Sequence, residues 1–174
     1  MSSKYCHESR STLTIRVFPT DLNNHRTLFG GKILADMDMT ASITASRHAR
    51  LKCVTASIDH VDFLHPVTEE DCISYESFVV VTGKSSMVIF VKAIAENLIT
   101  GERRVAATSF LTFVGMKENK TVPVPSIILE TEEEKELAEI AKARIENRKS
   151  NKLMSKNIES IISTKPLKLK QSEE

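Results

Sequence analysis

The chain has 174 residues, a net charge of +1 and 41% hydrophobic residues, the makeup of one globular domain with an appendage. So even a charge balance argues against a bulk electrostatic partner such as nucleic acid or an anionic membrane. No apolar run approaches the ~18–20 residues that a membrane span needs, and the opening MSSKYCHESR lacks the apolar stretch of a secretory signal.

In chain order, Thr12–Phe18 (TLTIRVF) alternates polar and apolar and is rich in β-branched residues, so it predicts a strand ended by Pro19. A polar loop, TDLNNHRT, leads through Leu28-Phe29-Gly30-Gly31 into KILADMDMTASITASRHA. That run suits a helix of about five turns, with Leu34, Met37, Ala41, Ala45 and His48 on one stripe. Its small residues, Ala41, Ser42, Ala45 and Ser46, let another element approach closely.

Four β-type segments follow: Val54–Leu64, Ile73–Val81, Met87–Ala95 and Arg104–Val114. The connections TGKSS (82–86) and NLITGE (97–102) each carry a glycine, as tight hairpins do. The order β-α-β-β-β-β, with one long helix and a run of antiparallel strands, is an α+β arrangement. Residues 1–125 hold 14 Lys/Arg and 13 Asp/Glu, and the 49 residues from Ser126 hold 10 of each. Pro123 and Pro125 therefore mark an expected seam between a folded body, 1–125, and a charged tail, 126–174. In the tail, Thr131-Glu132-Glu133-Glu134 fits a capping box, and Leu137, Ile140, Ala141 and Ile145 make a narrow apolar stripe. After about Ser150 no clear period is left, and a frayed, solvated end is expected.

Asp38 is the residue that periodicity singles out. Taking Leu34 as zero, Ala41 falls near about −20°, Ala45 near about +20° and Asp38 near about +40°, whereas Asp36 falls near about 200°. Asp38 is thus expected on the apolar stripe and Asp36 on the wet face. A carboxylate on a core-facing stripe is costly unless paired or used, so Asp38 is either a satisfied structural residue or a general base or nucleophile at a cleft. Gly30-Gly31 at a helix start is either a simple turn or a close-approach point whose free N–H groups hold an oxyanion. His48, His60 and His65 give no metal-ligand spacing, and no metal is expected. Three cysteines, Cys6, Cys53 and Cys72, without close pairing fit reduced thiols in the cytoplasm.

The series FPTDLNNHRTLFGGKILADMDMTASITASRHA, VTASIDHVDFLHPV, TGKSSMVIFVKAIAEN and TGERRVAATSFLTFVGM resembles the acyl-CoA thioesterases of the hotdog fold, from about Leu13 to Pro125. It is especially similar to bacterial acyl-CoA hydrolases of the cytosolic thioesterase type. The resemblance implies a long central helix wrapped by a curved antiparallel sheet. It implies hydrolysis of acyl-CoA to a free acid and CoA, with no cofactor, because CoA is part of the substrate.

The family's helix aspartate falls on Asp38 and the asparagine of its D-x-N loop on Asn23, led by Asp21. The family's usual glycine three residues after that asparagine is Arg26 here, which alters the loop or offers a cation at the cleft mouth. Gly30 and Gly31 match an oxyanion-binding pair, with Gly31 at the centre. Thr55 and Ser57 match the strand lining the acyl side, and Gly83, Ser85 and Ser86 a segment near the pantetheine or nucleotide. Asp38 would act as general base or nucleophile. Met37, Ile58, Val61 and Phe63 would line an acyl tunnel or belong to plain core, and Lys84, Arg103, Arg104 or the tail lysines would meet the CoA phosphates. The resemblance further implies a homodimer, within a trimer of dimers, in which Asp38 and Asn23 act from opposite chains. A non-hydrolytic acyl-CoA-binding module and an oligomerisation scaffold are the competing readings.

Overall fold

The computed structural model describes residues 3–164, the side chains of 148–156 excepted. In chain order the elements are β1 (Lys4–Tyr5), a short 3-10 turn (Cys6–Glu8), β2 (Ser11–Arg16), a second 3-10 turn (Pro19–Asp21) and α1 (Gly30–Ala49). Then come β3 (Lys52–Phe63), β4 (Asp71–Thr82), β5 (Ser86–Asn97), β6 (Arg103–Lys117), β7 (Lys120–Thr121), β8 (Ile127–Ile128) and α2 (Glu132–Ile161). The five expected strands and the long helix are all present. The two-residue strands β1, β7 and β8 are too short to leave a periodic signal.

The main sheet has the order β2-β4-β5-β6-β3, antiparallel throughout, with β7 beside β6. It curls around α1, giving the hotdog arrangement. Met37, Ala41 and Ala45 of α1 are wholly buried with Ile73, Val79, Met87, Ile89, Val91 and Phe113 of the sheet. Each large side chain in this set stabilises the fold by roughly 1.5–3 kcal/mol. The alanines let the helix sit close, as their size suggested.

The C-terminal end of α1 is fastened by two devices. Arg50 takes a left-handed φ of 53° and its N–H bonds the Ser46 carbonyl. Lys4 Nζ donates to the carbonyls of Arg47 (3.1 Å) and His48 (2.8 Å), a cation where the helix dipole wants one.

The opposite face of the sheet is covered as well. Phe78, Phe90 and Phe110 stand directly across β4, β5 and β6, with ring centroids 5.7 and 5.0 Å apart. The Arg10 guanidinium lies over Phe78. The first turns of α2 dock here through Glu134, Ala138 and Ala141, all buried. Glu134 accepts from Arg10 (2.9 Å) and from the N–H groups of Glu130 (2.7 Å) and Thr131 (3.2 Å), while the Thr131 hydroxyl accepts the Glu134 N–H. The expected capping box is therefore formed. Burial alone would raise the Glu134 pKa, but these donors hold it below the ordinary value. Burial and the adjacent Glu134 push the Cys6 thiol up to about 12.

Three expectations about the tail change. The compact unit runs to Ala141, and a second unit begins at Lys142, so the prolines at 123 and 125 lie inside the first unit. The reason is that β8 pairs with β1 and that the first turns of α2 cover the sheet. Ile140, placed on the docking stripe by its hydrophobicity, is 48% exposed, and Glu134 and Ala138 take the inward positions. The residues after Ser150 are helical as far as Ile161 despite lacking an apolar period. The last ten residues, with Lys165, Lys168 and Lys170 among them, lie outside the described residues.

Candidate functional site

The start of α1 is built around two glycines, neither of which needs a left-handed backbone. A β-carbon on Gly30 would meet the Phe63 ring at 3.3 Å, and one on Gly31 would meet the Phe29 ring at 2.5 Å. The glycines are there for room. The N–H groups of Lys32 and Ile33 both bond the Phe29 carbonyl, which leaves those of Gly30 and Gly31 at the open helix end.

The preceding loop is tied to that end. The Phe29 N–H bonds the Asp21 carbonyl (2.9 Å), and the Asn23 Oδ1 accepts from the N–H groups of His25 (2.8 Å) and Thr27 (3.2 Å). Arg26 takes φ 60°, the conformation that glycine adopts most easily, so the chain forms its turn with arginine at the position where the resemblance implied glycine. Its guanidinium pairs with Glu69 at 2.9 Å. A cleft of about 300 Å3 opens beside this loop, lined by Asn23, Gly30, Ile33, Phe63 and His65 among others. Val105 O accepts from His65 Nδ1 (2.8 Å), which fixes the ring.

Asp38 lies elsewhere. It sits two turns further along α1, about 12 Å from Gly30 at 1.5 Å per residue, and it does not line this cleft. It is half-buried, and the Thr55 hydroxyl donates to its Oδ1 at 2.9 Å. The hairpin of Gly83, Ser85 and Ser86 is near that end of the sheet, since Ser86 pairs with Val114, and Val114 with Val54. The hairpin is held by backbone bonds from Gly83 N–H to Ser86 O (2.8 Å) and from Gly115 N–H to Ser85 O (3.0 Å). Ser57 is half-buried, its hydroxyl 3.5 Å from Asp59. One chain thus unites Asn23 with Gly30 and Gly31, and separately Asp38 with Thr55 near the hairpin.

The two helix carboxylates exchange their expected environments. Asp36 is the buried one, 4% exposed, with Lys32 Nζ on both its oxygens at 2.6 and 2.8 Å. Asp38 is on the margin. The inward face runs through Ile33, Asp36, Met37, Thr40, Ala41, Thr44, Ala45, His48 and Ala49, its centre roughly 35° from that of the hydrophobic stripe. Two threonines cause the rotation. The Thr40 hydroxyl donates to the Asp36 carbonyl (2.7 Å) and the Thr44 hydroxyl meets Ser77, so both are buried without a polar penalty.

Other candidates also move. Arg104 donates to both oxygens of the wholly buried Asp71 at 2.6 and 3.1 Å, an internal tie rather than a free cation for phosphate. Arg103 pairs with Glu96 at 3.5 Å, and Lys84 is exposed at the hairpin tip. Of the proposed tunnel residues, Met37 is wholly buried core and Val61 half-buried, but Ile58 and Phe63 are exposed. Their exposure follows from strand order: β3 is an edge, paired among the described residues with β6 alone. Val54, Ile58, Phe63 and Leu64 on or beside β3, with Met39 and Ile43 of α1, leave a broad apolar surface uncovered. The Asp38–Thr55 contact and the buried Tyr75 hydroxyl beside Asp36 had no signal in the sequence, because both depend on how α1 is rotated against the sheet.

The thioesterase superfamily model matches residues 25–102, a span that holds the glycine-paired helix start, Asp38 and Thr55. The chain belongs to the hotdog-fold acyl-CoA thioester hydrolases and is such an enzyme. It is 50% identical to the uncharacterized acyl-CoA thioester hydrolase YkhA of Bacillus subtilis, over 93% of this chain and 95% of that one. The acyl-CoA hydrolase of Bacillus cereus is 58% identical, covering 93% and 99% of the two chains with a TM-score of 0.91. A hexameric acyl-CoA thioesterase is 46% identical over 87% and 97%, with a TM-score of 0.84. The Staphylococcus aureus acyl-CoA hydrolase, solved with butyryl coenzyme A and coenzyme A, is 37% identical over 91% and 98%, with a TM-score of 0.87. That enzyme has also been solved with alanine in place of an aspartate, a threonine or an asparagine.

Proposed function

We propose that thioester hydrolysis takes place between two copies of this chain, with Asp38 of one and Asn23, Gly30 and Gly31 of the other. The single observation that carries this is the separation of the two half-sites within one chain, at opposite ends of an unpaired β3 edge. When two such edges pair antiparallel about a twofold axis, the Thr55 end of one strand meets the Phe63 end of the other. Asp38 and Thr55 of one copy then come to the cleft of its partner. The apolar surface on α1 and β3 is the contact that such pairing would bury, and a covered edge removes an aggregation hazard.

Within that site the Gly31 N–H region stabilises the oxygen of the thioester carbonyl, and Asn23 orients the carbonyl or the water. Asp38, steadied by the Thr55 hydroxyl, takes a proton from water or attacks the carbonyl itself. The products are a carboxylic acid and CoA. In the Staphylococcus aureus hydrolase the replaced asparagine, aspartate and threonine are spaced by 15 and 17 positions, the spacing of Asn23, Asp38 and Thr55. Thr55, Ser57 and the Gly83–Ser86 hairpin would contact the acyl and pantetheine parts. CoA enters as substrate, and no cofactor takes part. Assembly into a trimer of dimers fits the hexameric relative, and the three free cysteines fit the cytoplasm.

The test mixes two inactive variants. Asp38→Asn and Asn23→Ala are expected to regain CoA release when unfolded and refolded together, because mixed dimers contain one intact site. Sedimentation should give a dimer or hexamer. A fully active 19.5 kDa monomer, or no activity in the mixture, would refute the shared site.

A further inference from the structure

Just past the helix start the buried Asp36 carboxylate is paired with the partly exposed Lys32, and hydrolysis gives the pair no role. Lys32 directly follows Gly31, so its stem leaves α1 in the same turn as the two glycine N–H groups. Tyr75 of β4 is wholly buried with its hydroxyl near the same carboxylate. Burial first, then the Asp36 charge, pushes the pKa of that hydroxyl up, so it stays a neutral phenol beside the carboxylate.

A bare carboxylate here would work against an oxyanion. It would lie little more than one turn from Gly31, in a place where water screens it poorly, and would lower the positive potential of the helix end. Paired with Lys32 it is neutral over distance. The side chain of Lys32 is 37% exposed, with its ammonium on the Asp36 carboxylate. A buried ion pair is by itself weak evidence of a stabilising role, since apolar replacements of similar volume often serve as well.

We propose that Lys32 is a positioning residue for the hydrolysis: its ammonium cancels the buried Asp36 carboxylate behind Gly30 and Gly31, so that this end of α1 stays positive toward the thioester oxygen. This rests on the hydrolytic reading of that helix end given above.

Three variants separate charge from structure: Lys32→Gln strands the carboxylate, Asp36→Asn leaves the cation, and the double variant removes both. CoA release from butyryl-CoA gives kcat and KM, with thermal melts alongside. Lys32→Gln is expected to lower kcat about tenfold, less than the loss of a direct oxyanion donor, with KM changed by less than about twofold. Asp36→Asn and the double variant should both hold kcat within about threefold of the wild type, the double thereby rescuing Lys32→Gln. Equal losses in the two single variants, tracking their melts, or no rescue in the double, would overturn the proposal. If Lys32→Gln does not fold, Lys32→Arg decides: retained kcat supports the charge argument, and a tenfold loss refutes it. A wild type that releases no CoA would refute the hydrolase reading, whereas an active wild type with an indifferent Lys32→Gln refutes only this proposal.

Discussion

Asp36 and Asp38 are two residues apart on one helix, and they meet different surroundings. The Asp36 side of α1 is turned into the sheet, and its carboxylate is almost wholly buried with the partly exposed Lys32 ammonium on both oxygens. The Asp38 side lies at the rim beside the edge strand β3, where one hydroxyl reaches the carboxylate and much of its surface is left for a further partner. A charge that is fully compensated by its own chain has no capacity left for a substrate. One that is half compensated does. Chemistry on this helix is therefore to be sought where compensation is incomplete, not where burial is deepest.

Substitution of the two carboxylates should separate these sides most widely. Asp38→Asn keeps the shape and removes the base or nucleophile, so kcat should fall by roughly 10²–10⁴ while the melting temperature stays within a few degrees. Asp36→Asn should do the reverse. It breaks a bidentate pair at a buried site and should cost about 1–3 kcal/mol of stability, tempered by the exposure of Lys32, with turnover kept within about threefold. Thiol release and thermal melts on both variants check this. If Asp36→Asn loses turnover as far as Asp38→Asn does, the two sides are not functionally distinct.

A smaller effect tests the rim itself. Thr55→Val deletes the hydroxyl that donates to Asp38, and kcat should fall about tenfold, whereas Thr55→Ser should retain most of it. Equal activity in the valine and serine variants would mean that the hydroxyl does not steady the carboxylate.

How far this division could be read from sequence depended on residue type. The β-α-β-β-β-β order, the hairpins at 82–86 and 97–102 and the capping box at Thr131 were all legible, because each rests on local chemistry that survives folding. The rotation of α1 was not. Hydrophobic periodicity gives threonine little weight, yet Thr40 and Thr44 satisfy their hydroxyls at the Asp36 carbonyl and at Ser77 and turn inward. Glu134 misled in the same way at the other face of the sheet: a charged residue became the buried anchor of α2 because Arg10 and two backbone N–H groups receive it. The separation of Asn23 from Asp38 within one chain was hidden for another reason. It depends on which strand becomes the unpaired edge, a property of the whole sheet order and not of any segment.

The smallest expected effect belongs to the closed side of α1 and depends on pH. His48 is wholly buried, and its Nε2–H donates to the Pro125 carbonyl at 2.9 Å, while Nδ1 has no partner among the described residues. Burial lowers its pKa; the Lys4 ammonium adds to this, and the Pro125 carbonyl and Glu8 oppose it. The folded protein therefore keeps His48 neutral at a pH where the unfolded chain takes up a proton. Its contribution is full above the ordinary histidine value near 6.5 and declines as the pH falls below it, by at most about 1.4 kcal/mol per pH unit. Asp71 titrates elsewhere. Burial would raise its pKa, but Arg104 and Thr68 hold it low, so its contribution is lost only in acid below the ordinary carboxylate range. Melts at pH 7.5 and 5.5 thus isolate the histidine. His48→Gln should melt lower at pH 7.5, because the bond to Pro125 is disturbed, yet lose less than the wild type on going to pH 5.5. An equal loss in both proteins would assign the slope to another group and leave the closed side of α1 without a titrating member in that range.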